Sequence, residues 1–267
     1  MTPPRALGVL LVSASISRYA KDMKRWMLGG AFLFCVSGML AFFFRAPLRE
    51  AVSDAAAPAV PTAQVYDSTV TSSRPSLKQL NLAVPFLSQA PKQNWAMPYQ
   101  EACEEASMIM VDAYYRGRSK AFAPEEGDRA ILGLVAFEER AHKTPDLTAQ
   151  ETADMIQSYF KKRKAVVAST ITAEAIKREL LAGHPVIVPA SGKALHNPNF
   201  HNGGPVYHML VIKGYLADGR WITNDPGTRR GADYVYSTDV LLRAIHDWNG
   251  GSVTTGTPRM VIMTSKK

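Results

Sequence analysis

Cysteine and histidine are scarce in this chain, with two of the former and six of the latter among 267 residues. Two cysteines exclude a disulfide-stapled scaffold. Cys35 lies in an apolar run and Cys103 in a mixed, soluble-looking one, so both are expected to be free thiols. The histidines show no convincing spacing for a three-ligand metal site, and neither metal nor cofactor is expected. A one-sided charge is also largely missing. The formal net charge is +8, but residues 1–80 hold 9 Lys/Arg against 4 Asp/Glu, while residues 81–267 hold 22 against 19. The larger part therefore lacks the basic excess of a nucleic-acid binder. Its one basic run, KKRK at 161–164, has no repeated aromatic residues around it and reads as a solvated helix end. No nucleic-acid partner is expected.

Charge is absent altogether from Trp26 to Phe44, 19 residues long. A helix of that length spans a hydrocarbon core of roughly 30 Å. Arg5, Arg18, Lys21, Lys24 and Arg25 precede it, which places the N-terminus in the cytoplasm and the remainder outside. Arg45 and Arg49 follow it and weaken the asymmetry. The competing reading is a secretory signal, starting at Met1 or at Met23, with cleavage near the small-residue run after Asp54. The expected organisation is a basic cytoplasmic tail (1–25), a transmembrane helix or signal core (26–44), an Ala/Pro/Ser/Thr-rich flexible linker (46–80) and one domain (81–267).

Within that domain, LAVPF (82–86) reads as a short strand. Helical periodicity covers about 99–115 and 125–142. Thr148 with Glu151 forms a capping-box start for a third helix ending near Phe160, and residues 173–182 make a fourth, stopped by Gly183. Strands are expected at 185–190, 206–215 and 221–225, a helix at 239–248 and a last strand at 259–264. Helices first and a mostly antiparallel sheet afterwards is an α+β layout.

Cys103 falls in the first turns of a helix, on a stripe with Ala106, Met110 and Ala113. The positive end of a helix favours a thiolate. Glu101, Glu104 and Glu105 oppose it, and an inert core cysteine fits the same position. A nucleophilic cysteine needs a histidine within reach and a third group to orient the ring. His142, His184 and His246 sit at or near helix ends, and His196 and His201 lie in a loop rich in Gly, Asn and Pro. His208 opens a strand that turns through Ala217–Gly219 into WITND, and hairpin geometry puts that opening beside Asp225. Asn224 competes for the same place, and an incidental pair at a sheet edge is the plain alternative.

VPFLSQ (84–89), CEEASMIMVDAYY (103–115), AGHPVIVPA (182–190), GPVYHMLVIKGY (204–215) and NDP (224–226) together resemble the papain-like cysteine peptidases. More closely, they are similar to the branch related to bacteriocin double-glycine leader peptidases. The resemblance covers about residues 82–226. It implies Cys103 as nucleophile, His208 as general base, Asp225 as the orienting acid and Gln89 in the oxyanion hole, with Gln100 as the alternative. It further implies helices packed on an antiparallel sheet, a peptide or protein substrate and no cofactor. Many relatives carry Asp-Cys-Gly where this chain has Ala102-Cys103-Glu104, a glutamate that either excludes acidic substrates or tunes the thiol. Trp95 and Trp221 are candidates to line the cleft, and the loop 191–205 borders it. The expected location is the bacterial inner membrane, single-pass, with the domain extracytoplasmic, or secreted if the N-terminal segment is cleaved. Two other readings fit the same residues. One is a catalytically inactive peptide- or wall-binding module, the other an amidase or transpeptidase acting on peptidoglycan.

Overall fold

Apolar strands with nearly continuous burial build an antiparallel sheet, and the helices that precede them in the chain cover it. The computed structural model describes residues 59–65, 77–141 and 146–266. The tail, the apolar segment 26–44, most of the linker and His142 lie outside the described residues. Among the described residues no helix is long and apolar enough to cross a membrane.

The strands are β1 (Leu80–Asn81), β2 (Arg163–Ala168), β3 (Val186–Ala190), β4 (His208–Tyr215), β5 (Trp221–Asn224), β6 (Tyr234–Tyr236) and β7 (Met260–Ser265). Their order is β2-β7-β3-β4-β5-β6, with β1 paired to β4, and every pairing is antiparallel. All residues of β3 and β4 are buried, as expected for strands covered on both faces. The β4 register shifts between Ile212 and Gly214. A Cβ at Gly214 would stand 2.1 Å from the Leu80 carbonyl oxygen, so the close approach of β1 there requires glycine.

The helices are α1 (Cys103–Tyr115), α2 (Pro124–Arg140), α3 (Ala149–Tyr159), α4 (Ala173–Leu181) and α5 (Thr238–Ala244). Thr148 and Glu151 form the expected capping box of α3, and Pro124 occupies the first turn of α2, where its missing N–H has no cost. A short 3-10 turn, Tyr99–Glu101, replaces the first part of the expected first helix. The helix α1 is buried on every side, Glu104, Glu105 and Asp112 included. Its sequence stripe thus underestimates its burial: it lies against β4 with α2 and α3 around it.

Four expectations are corrected. The strand foreseen at 82–86 is displaced to Leu80–Asn81, because Val84 and Pro85 give their carbonyls to the Asn224 side chain. The helix foreseen to 248 ends at Ala244, since Ile245 bridges to Ala190. Two strands, β2 and β6, were not foreseen. The run KKRK is a solvated helix end only in part: Lys161, Lys162 and Lys164 are exposed, but Arg163 opens β2 and is buried with its Nε 2.8 Å from Asp112 Oδ1. Part of the linker also has a place, because Gln64 exchanges backbone hydrogen bonds with Asn81 and Ala83.

The Asp112–Arg163 pair joins α1 to β2 with both side chains under a tenth exposed. Replacing Asp112 with Ala leaves a guanidinium buried without its counter-charge. The expected loss is about 3–5 kcal/mol, to be read as a lower urea midpoint at unchanged slope.

Candidate active site

Two chain segments meet at Pro226. The backbone N–H of Gln89 donates to the Pro226 carbonyl at 3.0 Å, which fastens VPFLSQ to the residue after Asp225. The Gln89 side chain is buried, and its Nε2 donates to the carbonyls of Tyr99 and Gln100, both at 2.9 Å. It therefore holds the 3-10 turn that delivers Cys103 to the start of α1. Both of its amide hydrogens are committed to these carbonyls. Gln100 is exposed and donates to Glu101 Oε1 at 2.9 Å.

Cys103 is buried, with Sγ 2.9 Å from Glu104 Oε2, the thiol donating. Burial pushes the thiol pKa well up, and the Glu104 charge and hydrogen bond push it further. The opposing influence is the backbone hydrogen bond from Met209. Cys103 also adds to the upward shift of the buried Tyr207, so the residues on both sides of His208 feel it. No hydrogen bond joins Cys103 to His208 itself.

His208 Nε2 lies 2.8 Å from Asp225 Oδ1, and both side chains are buried. Because a carboxylate only accepts, this contact fixes the proton on Nε2 and leaves Nδ1 as the basic nitrogen. The ring packs edge-on against Phe200, with centroids 5.3 Å apart. A Cβ at Gly227 would stand 2.8 Å from His208 Cε1, so the absence of a side chain there gives the ring its room.

Asp225 Oδ1 also accepts from the Gly227 N–H at 3.0 Å. Its Oδ2 accepts from the Tyr236 hydroxyl and from Asn197 Nδ2, at 2.5 and 3.3 Å. Burial alone would raise this carboxyl's pKa. His208 and the hydrogen bonds from Tyr236 and Gly227 outweigh it and hold Asp225 below the usual range. The hairpin expectation that His208 meets Asp225 describes the observed contact. Asn224 instead points away, into the carbonyls of Val84 and Pro85. Asn197 comes from the loop expected to border this region. Tyr236 comes from β6 and had no signal in the sequence beyond a short aromatic alternation.

The remaining candidates separate. Trp221 is fully buried beside Tyr215 and lines no cleft, whereas Trp95 is exposed. His184 pairs with Glu179 at 3.2 Å. Among the described residues no group of three His, Cys, Asp or Glu side chains is placed to hold a metal ion.

Carboxyls crowd the other side of Cys103. Burial, foremost, raises Glu104 from 4.5 to about 8 and raises Glu105 well above its usual range, with Glu138 adding to both. For an acid whose folded pKa is raised, the unfolded chain releases its proton first, so stability declines as pH rises from the unfolded value to the folded one. The urea midpoint is expected to fall between about pH 4.5 and pH 8. In a Glu105→Gln variant the slope should be shallower. A midpoint that rises across this window would refute the assignment.

Residues 81–250 match the model of the family described as the Peptidase_C39 like family. Among solved structures, the chain is similar to a crystal structure from Bacillus anthracis described as a C39-like peptidase. Identity is 16%, coverage is 71% of this chain and 99% of that one, and the TM-score is 0.46. It is also similar to a fragment of Prevotella intermedia prointerpain A, at 14% identity over 75% of each chain with a TM-score of 0.43. A third similarity is to active interpain A, a cysteine protease of the same organism. There identity is 22% over 42% of this chain and 43% of that one, with a TM-score of 0.26. No curated protein matches the chain.

Proposed function

Because the chain belongs to the Peptidase_C39 like family, and so carries a papain-like peptidase domain, we propose that it hydrolyses peptide bonds with Cys103 as nucleophile. In this reading His208 Nδ1 takes the thiol proton and returns it to the leaving amine. Asp225 holds the ring tautomer and stabilises the imidazolium. The oxyanion is met by the Cys103 backbone amide, and by Gln89 when it exchanges one of its carbonyl partners for the substrate. The observation that carries the proposal is the buried His208–Asp225 pair, in which three further donors hold the carboxylate and Nδ1 is left basic.

The proposed setting is the outer face of a bacterial inner membrane, with residues 26–44 as the anchor and the linker as a spacer. The substrate is a peptide or protein. Glu101, Glu105, Glu138 and Glu139 line a pocket together with Met97 and Val135, so neutral or basic peptides suit this side of the domain better than acidic ones.

The test is mass-spectrometric detection of cleavage in a defined peptide library, using the full chain beside Cys103→Ala. Cleavage present in the wild type and absent in the variant supports the proposal. An equally inert pair would sink it. One observation favours the second reading, a peptide-binding module without turnover: the thiol is bonded to Glu104, not to His208. Peptide retention without cleavage is the result that reading requires.

A further inference from the structure

The pocket between α2 and the segment from Met97 to Glu105 is lined by Glu101, Glu105, Glu138 and Glu139, and by no lysine or arginine. Two of these carboxyls, Glu105 and Glu138, are more than nine-tenths buried. They share a hydrogen bond, which requires a proton on one of them because a carboxylate only accepts. Glu105 Oε2 is buried with no hydrogen-bond partner, and an acceptor left in that state carries its full desolvation cost. Burial, foremost, holds the Glu105 carboxyl well above its usual range, and the Glu138 hydrogen bond and the Glu104 charge add to it. The pocket thus lacks a group that brings hydrogen-bond donors and positive charge.

The rest of the lining narrows the choice. Among the described residues no three acidic side chains are placed to hold a metal ion, so a bare cation does not suit. A guanidinium does. It is planar, offers five donors and no acceptor, and is more weakly hydrated than an ammonium, so it enters a half-buried site more readily. Met97 and Val135 give an aliphatic stem its apolar contact. The overall charge supplies no general attraction for cations, because residues 81–267 hold 22 Lys/Arg against 19 Asp/Glu. A preference for arginine would have to come from this pocket. Its place also ties it to the nucleophile: Glu101 precedes Cys103 by two residues, Glu105 follows it by two, and the Glu105 charge is felt at the thiol.

We propose that this pocket is a specificity subsite for an arginine side chain of the substrate, with the guanidinium on Glu105 and Glu138 and the stem against Met97 and Val135. The subsite rests on the peptidase reading and names its substrate class, a peptide or protein with an arginine near the bond that is cut. Glu101 and Glu139, at the more accessible edge of the pocket, draw the cation in.

The experiment uses the full chain carrying Cys103→Ala, which holds peptides without turnover. The probe is a hexapeptide library in which each position in turn carries arginine or citrulline, its uncharged isostere, and retained peptides are quantified by mass spectrometry. At one position arginine should be enriched over citrulline by about tenfold, as expected for a charge-assisted hydrogen bond to a buried carboxyl. Adding Glu105→Gln should reduce that enrichment to about twofold or less, because both the charge and the unmet acceptor are changed. Adding Glu139→Gln, an exposed position that leaves the buried pair untouched, should reduce it by about threefold. Equal retention of arginine and citrulline peptides at every position, a total lack of retention included, overturns the subsite. An enrichment that survives Glu105→Gln with an intact urea transition overturns it as well. If that variant does not fold, an enrichment undiminished by Glu139→Gln does so in its place. The wild-type chain, given the same library, separates the subsite from the peptidase reading. Cleavage without an arginine preference leaves the peptidase and removes the subsite. Arginine-selective retention by Cys103→Ala with no cleavage by the wild type leaves a peptide-binding subsite and removes the peptidase.

Discussion

Replacing Cys103 with alanine is expected to reduce peptide hydrolysis by about a millionfold, to the level of background, while the domain still unfolds cooperatively. The size follows from covalent catalysis. Without sulfur there is no acyl-enzyme, and His208 has no proton to take. The fold should tolerate the change because Cys103 fills a small volume at the N-terminal end of a helix whose other residues are all buried. The variant also removes a donor to Glu104, so its carboxyl loses a hydrogen bond that favours ionisation. Progress curves on a cleaved peptide, beside urea unfolding of both proteins, give the two readouts. Residual hydrolysis within tenfold of the wild type would mean that Cys103 is not the nucleophile.

Asp225 is expected to produce the second large effect, and here two substitutions separate positioning from packing. In Asp225→Ala the His208 ring loses the acceptor that fixes its tautomer, and Tyr236 and Asn197 lose the acceptor they share. A fall of about 10³–10⁴-fold in kcat is expected from the first loss, and about 2–4 kcal/mol of stability from the second. Asp225→Asn keeps an oxygen for His208 Nε2–H, and the Tyr236 hydroxyl can turn to accept from the new amide. It should therefore hold the ring in place but lose the charge that stabilises the imidazolium, so that activity is recovered only in part, while the acid-side dependence of stability is lost. That dependence has a defined sign in the wild type. The folded pKa of Asp225 is lowered, so its contribution is present above the unfolded value of about 3.9 and is lost as pH falls through the folded one. Equal activity losses in the two variants would show that His208 needs the charge of Asp225 and not just its oxygen.

These effects depend on contacts of unequal legibility. Cys103 and His208 stand out in the chain because each opens a regular element: the cysteine a helix, the histidine a strand. Their local signals survive without knowledge of the fold. Asp225 is reachable because a hairpin converts sequence distance into spatial nearness by a fixed rule. Asn197 and Tyr236, which satisfy its second oxygen, obey no such rule. One arrives on a loop from before β4 and the other from β6, and only the closed sheet brings them together. Gln89 is in the same position. Its motif marks it as notable, but its two bonds go to the turn before Cys103 and were invisible until that turn had a shape. The basic run at 161–164 shows the limit from the other side. Composition makes all of it look solvated, and its three lysines are, but a single acidic residue 51 positions earlier, Asp112, draws Arg163 inside.

The amino-acid order by itself determined the α+β class and the places of the principal helices and strands, and it put His208 beside either Asp225 or Asn224. Periodicity, capping and hairpin geometry act over a few residues and are written locally. Tertiary structure alone decided the burial of α1 on all sides, the donors that hold Asp225 ionised and the partner of the Cys103 thiol. Burial is a property of everything packed around a group, and it sets the cost of charge there. Glu104 follows Cys103 in any reading of the sequence, but only in the packed core does its carboxyl lose the water that would otherwise keep it a simple anion.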